Sequence, residues 1–120
     1  MALCCEQYRG VETRPSDDLP SAAWFIDPVF GRQVRVPDRA FRKIARDHQD
    51  LTGLTRRVVL EAVANANAHR PGHATNRHVF YRRGVGPSRW LCVVVQYDCR
   101  ESGEAFTAFA VRRLPKEAGR

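Results

Sequence analysis

The chain has 120 residues, 43% hydrophobic and 28% charged, with a formal net charge of +7 at pH 7. That is an ordinary globular composition, long enough for one domain with one modest core. No run approaches the roughly 18 apolar residues of a membrane span, and "MALCCEQYRG" lacks the apolar centre of a signal peptide, so a cytoplasmic, non-membrane protein is expected.

The cysteines agree. Cys4 and Cys5 are adjacent near the N-terminus, Cys92 lies in a strand-like run and Cys99 in a turn. They form neither the dense framework of a small secreted domain nor a CxxC zinc pair. The charge is uneven: residues 1–30 hold two basic and five acidic side chains, and the other 18 basic residues follow. All but Lys43 and Lys116 are arginine, whose planar fork suits bidentate phosphate contact. A basic body points to nucleic acid or an acidic protein partner. An arginine-favouring codon bias, with a merely solvated basic face, gives the same counts.

Residues 1–22, with Pro15, Ser16, Asp17, Asp18, Pro20 and Ser21, show no periodicity and read as an irregular acidic arm. A single α+β domain is expected over 23–117, with 118–120 as a tail. "AWFIDPVFGRQVRVP" reads as a strand, a turn from Asp27-Pro28 to Gly31, and a short second strand at Gln33–Val36. Asp38 is an N-cap candidate for a helix whose Phe41, Ile44, Ala45, His48 and Leu51 share one face. His48 falls at the inner edge of that helix near its C-terminal end, where the helix dipole favours a cation. Thr55 can cap a second helix, "RRVVLEAVANANAH", with Leu54, Val58, Val59, Ala62, Val63 and Ala66 as its stripe. "RPGHATN" then breaks the chain.

Three strands follow: "HVFYRR", "WLCVVVQYD" and "EAFTAFAVRRL", joined by short polar turns that favour an antiparallel meander. The expected fold is therefore α+β: N-terminal strands, two helices, then a three-stranded antiparallel sheet. The Val-rich middle strand reads as buried on both faces. Alternation puts Val79 and Tyr81 on one face of their strand and His78, Phe80 and Arg82 on the other. It puts Ala105, Thr107, Phe109 and Val111 together on the last strand. Thr107 reads either as a β-branched filler or as a hydroxyl that touches substrate. His48 is likewise a core residue or an acid–base group. His69, His73 and His78 have no acid or cysteine close by and do not read as a metal site. No P-loop, GxSxG, HExxH or Rossmann glycine pattern is present, and no cofactor is expected.

What remains is one positioned His with Arg, Tyr81 and Thr107 around a sheet, the groups a metal-independent ribonuclease needs. The order of features resembles the toxin-like nucleases grouped as Barnase–EndoU–colicin E5/D–RelE-like, in their phage and mobile-element branch. The resemblance rests on Asp47-His48-Gln49-Asp50-Leu51, Phe80-Tyr81-Arg82, Val93-Val94-Val95 and Thr107-Ala108-Phe109, and spans about residues 30–117. It implies metal-free RNA cleavage by a toxin restrained by an antitoxin or immunity partner. It makes His48, Arg82 and Thr107 the catalytic candidates, as acid–base, phosphate contact and substrate-facing hydroxyl. Tyr81, Arg83, Phe109, Arg113 and Lys116 become substrate-binding candidates. Gln49 and Phe109 depart from the proline and tyrosine common in that pattern. The alternative function is a non-catalytic nucleic-acid- or protein-binding module on the same basic α+β fold.

Overall fold

Residues 18–47, 53–84, 89–98, 102–116 and 118 are described in the computed structural model of the chain. Two short strands, β1 (Trp24–Ile26) and β2 (Gln33–Arg35), precede two helices, α1 (Asp38–Asp47) and α2 (Arg56–Ala64). Four strands follow: β3 (Ala68–Pro71), β4 (Arg77–Arg83), β5 (Trp90–Tyr97) and β6 (Ser102–Val111). The α+β class holds, but the expected three-stranded antiparallel sheet does not. All the strands join one six-stranded sheet of order β1-β2-β6-β5-β4-β3, mixed because β2 runs parallel to β6.

Burial explains both additions. Val34 and Val36 are fully buried, and they place β2 beside β6 under the helices. At the other edge, the expected end of the second helix and the start of the expected break form β3, which pairs antiparallel with β4 from Ala68↔Tyr81 to Pro71↔His78. Pro71 is accommodated at the end of an edge strand, where its missing N–H interrupts little of the ladder. The second helix therefore stops at Ala64, short of the expected His69, and the Asn67 N–H already donates to the Tyr81 carbonyl at 2.8 Å. Thr55 caps α2 as expected, its hydroxyl accepting from the Val58 N–H at 3.1 Å.

One sheet face lies under the helices. Ile44, Val59, Leu60 and Val63 from α1 and α2 pack there on Val34, Phe80, Leu91, Val93, Val95, Ala105 and Ala108. The other face carries a smaller cluster of Ala68, Val79, Tyr81, Trp90 and Cys92, against which Leu114 and Ala118 of the C-terminal segment pack. A bulge in β6 decides which residues face which way. Val94 pairs with Thr107 but Val95 with Ala105, leaving Phe106 as the extra residue. Ala105 and Ala108 thus both turn to the helices, while Thr107 lies on the opposite face with Val94 and Phe109. Strict alternation, which put Ala105 with Thr107, fails at that one residue.

Arg56 ties the helical layer together. It is buried at the start of α2, and its guanidinium donates to the Val36 carbonyl at 2.7 Å, the Leu19 carbonyl at 3.0 Å and Asp38 Oδ1 at 2.7 Å. Asp18, from the acidic arm, accepts the Arg56 and Arg57 N–H groups at 2.7 and 3.0 Å and so neutralises the positive end of α2. Replacing Arg56 by Met leaves three acceptors without their donor. The expected loss in urea unfolding is about 3 kcal/mol. Arg39→Met, at a side chain 76% exposed and bonded to Glu104, is expected to cost less than about 1 kcal/mol.

Candidate nucleic-acid interface

Strand alternation gives the helix-free face its chemistry. Phe25 packs into the helix-side core, so its neighbours Trp24 and Ile26 point the other way, 47% and 45% exposed. Arg35, between the buried Val34 and Val36, points there too, opposite Trp24 and Glu104 in the ladder. From β4, Arg77 and Arg83 project on the same side as Val79 and Tyr81. The Arg77 guanidinium carbon lies 4.7 Å from the Phe106 ring centroid, and its Nε donates to Gln96 Oε1 at 3.3 Å. Arg83 lies 5.8 Å from the Trp90 ring centroid. An arginine held against a ring keeps N–H groups for a phosphate while losing less entropy on binding. Arg112 and Arg113 extend this cationic rim beyond Val111, which pairs with Trp90. Among the described residues no ion pair joins Arg35, Arg77, Arg83, Arg112 or Arg113 to a carboxylate.

The residues singled out from the sequence divide between the two faces. Thr107 is half-buried on the helix-free face, one residue from Phe106. Arg83, Arg113 and Lys116 are exposed, and Phe109 is half-buried against the smaller cluster. Tyr81 is buried, its hydroxyl accepting from Arg70 Nε at 2.9 Å, and burial raises its pKa despite that bond. Arg82 points to the helix side, where it donates to the Asn65 carbonyl at 2.7 Å. Arg82 and Thr107 therefore lie on opposite faces of the sheet. His48 lies outside the described residues.

Sequence reasoning missed a second constellation, at the end of the sheet where the β1–β2 turn meets β4 and β5. Buried Asp27 accepts the N–H groups of Val29 at 3.0 Å, Phe30 at 2.5 Å and Arg32 at 3.0 Å. Gly31, at φ +68°, completes this tight turn. Phe30 is thereby set edge-on to His78 and Tyr97, with ring centroids 5.1 and 5.2 Å away. His78 shares a 2.9 Å hydrogen bond with His69 across the β3–β4 ladder. A Cβ on Gly103 would lie 2.8 Å from the Tyr97 ring, so only glycine leaves room for that ring. Phe30, Arg32, His78 and Tyr97 border a cleft of about 1070 Å³ that also reaches Arg77 and Gln96. The signal in the sequence was "DPVFG", an Asp whose carboxylate can collect the N–H groups of the turn after it.

Burial is the largest influence on the titrating groups of this corner. Burial lowers the His78 pKa, with the neighbouring His69 acting in the same direction and Asp27 opposing. The Tyr97 phenol is pushed up by burial and then by the Asp27 carboxylate beside it, and among the described residues its hydroxyl makes no hydrogen bond. Burial holds the Cys92 thiol at about 12, which leaves it unreactive. No group of three or more His, Cys, Asp or Glu that could hold a metal ion stands together among the described residues. No helix among them is long and apolar enough to cross a membrane.

Comparison of the chain with protein-family models, with curated proteins and with solved structures gave no match.

The shift at His78 has a sign that can be read in solution. Its folded pKa lies below the ordinary 6.5, so between the two values the unfolded chain binds the proton more readily. The His78 contribution is complete above about pH 6.5 and is lost as pH falls toward the folded value. Urea unfolding from pH 7.5 to 5 is expected to show stability falling with pH in wild type, and falling less in His78→Gln.

Proposed function

We propose that the protein binds single-stranded RNA on its helix-free sheet face and cleaves it without a metal ion. The observation that carries the RNA part is the pairing of cations with rings on that face. Arg77 lies on Phe106, Arg83 lies beside Trp90, which is itself buried, and Trp24 is half exposed at the edge of the face. Sheet faces of this kind bind single strands by stacking bases on aromatics while arginines meet phosphates. Thr107 lies within that face, and under this reading its hydroxyl touches the substrate.

The cleavage part rests on the family resemblance and the chemistry it implies. His48, as base, takes the 2′-OH proton while the 2′-oxygen bonds to phosphorus. The bond from phosphorus to the 5′-oxygen breaks, and an acid returns a proton to that oxygen. Arginines stabilise the charge gathering on the phosphorane. An antitoxin or immunity partner, implied by the same resemblance, would compete with RNA for the basic face. Two observations favour the alternative of a non-catalytic binding module: the sheet separates Arg82, already engaged with Asn65, from Thr107, and α1, whose last residue Asp47 precedes His48, packs on the face opposite the one proposed for RNA.

Incubating purified protein with total tRNA and mRNA in EDTA decides between them. Cleavage by wild type leaving cyclic phosphate ends, and its loss in His48→Ala at unchanged RNA affinity, is the expected result. RNA bound but uncut by wild type would establish the binding module. No RNA bound at moderate salt would overturn the nuclease and the RNA-binding module alike and leave a module that binds protein.

A further inference from the structure

We propose that the cleft beside the β1–β2 turn is a nucleotide subsite, seating one base of single-stranded RNA against Phe30 with a phosphate at Arg32. The inference rests on the RNA-binding reading and adds a second site, on the corner outside the helix-free face.

Phe30 is a large apolar side chain left 48% exposed although two rings pack against it. Its ring meets His78 at an interplanar angle of 84° and Tyr97 at 75°, so both neighbours hold it in T-shaped contacts. Its backbone is held by the Asp27 carboxylate through three N–H groups of the turn. The ring is thus positioned before any ligand arrives, and a stacking partner orders little more on binding. A flat, polar-edged ring is the occupant that fits such a platform, because every base offers a π-face.

Two cations beside it, Arg32 and Arg77, can meet the phosphate of a nucleotide in a lining that also holds Asp98 and Glu104. The Arg32 guanidinium carbon lies 5.6 Å from both the Phe30 and Tyr97 ring centroids, which confines it at the mouth of the cleft. Among the described residues no ion pair joins the Arg32 guanidinium to a carboxylate, which leaves it able to meet an incoming phosphate. Gln96 and Asn76 border the same space with side-chain amides that can read a base edge. Continuity supplies the last element. Arg77 and Gln96 line the cleft and also belong to the helix-free face, so a strand crossing Phe106 passes directly into it.

The probe is a set of 2′-O-methyl homopolymer oligonucleotides, which cannot be cut by 2′-OH attack, bound to the full chain and followed by fluorescence anisotropy. Wild type is expected to bind and to rank the four bases. Phe30→Ala is expected to weaken binding about tenfold and to flatten that ranking. Arg32→Gln is expected to weaken all four alike and to reduce the salt slope by about one. Because Phe30→Ala removes a packed ring, a second readout uses wild type alone: added oligonucleotide should shift the ring resonances of Phe30 and His78. Unchanged affinity and ranking in folded Phe30→Ala, or unshifted Phe30 and His78 resonances at saturation, overturns the subsite while leaving RNA binding intact. A wild type that binds none of the oligonucleotides overturns both readings together.

Discussion

Arg56 is the constraint on which the two-faced architecture depends. A guanidinium in the protein interior is tolerated only when its N–H groups are met, and here they are met by the arm at Leu19, by the end of β2 at Val36 and by α1 at Asp38. Its guanidinium carbon lies over the Phe41 ring, 5.2 Å from the centroid. One side chain thereby fixes the arm, both helices and the β2 end as a single layer over one sheet face. Everything the opposite face can do follows from that layer being on one side.

The bulge at Phe106 then sets what the open face displays. Without it, the strand would carry Ala105 and Thr107 on one side and lose the step that turns both Ala105 and Ala108 toward the helices. With it, the small residues fit beneath α1 and α2, and Phe106 and Thr107 come to the face where Arg77 waits. Packing and chemistry are met by the same extra residue. β-bulges recur where a side chain must be re-aimed.

Much of this was legible and some was not, for identifiable reasons. The β1–β2 pair, the two helices, the Thr55 cap and the alternation of β4 each follow from local patterns, and the structure has them. The parallel pairing of β2 with β6 joins segments about 70 residues apart, and no local periodicity encodes it. β3 was hidden because Pro71-Gly72 is a strong break signal, and an edge strand can end on such a pair. The charge count also misled in part. Arg56 and Arg57 enter the basic excess, yet both are buried and serve the fold. The surface available to an anion is correspondingly smaller and better defined than +7 implies. The Asp27 corner was missed because its partners, Phe30, His69, His78 and Tyr97, come from four separated segments. Each alone reads as an ordinary core or loop residue.

A rival surface exists, since Arg42, Lys43 and Arg46 are exposed on α1, on the opposite side of the molecule from the helix-free face. Titrating the full chain with an uncleavable single-stranded oligonucleotide and mapping the amide shifts by NMR separates the two directly. The expected result is a footprint over Trp24, Arg35, Arg77, Phe106 and Thr107. A footprint confined to the outer side of α1, with those amides unmoved, would contradict the placement of RNA on the sheet.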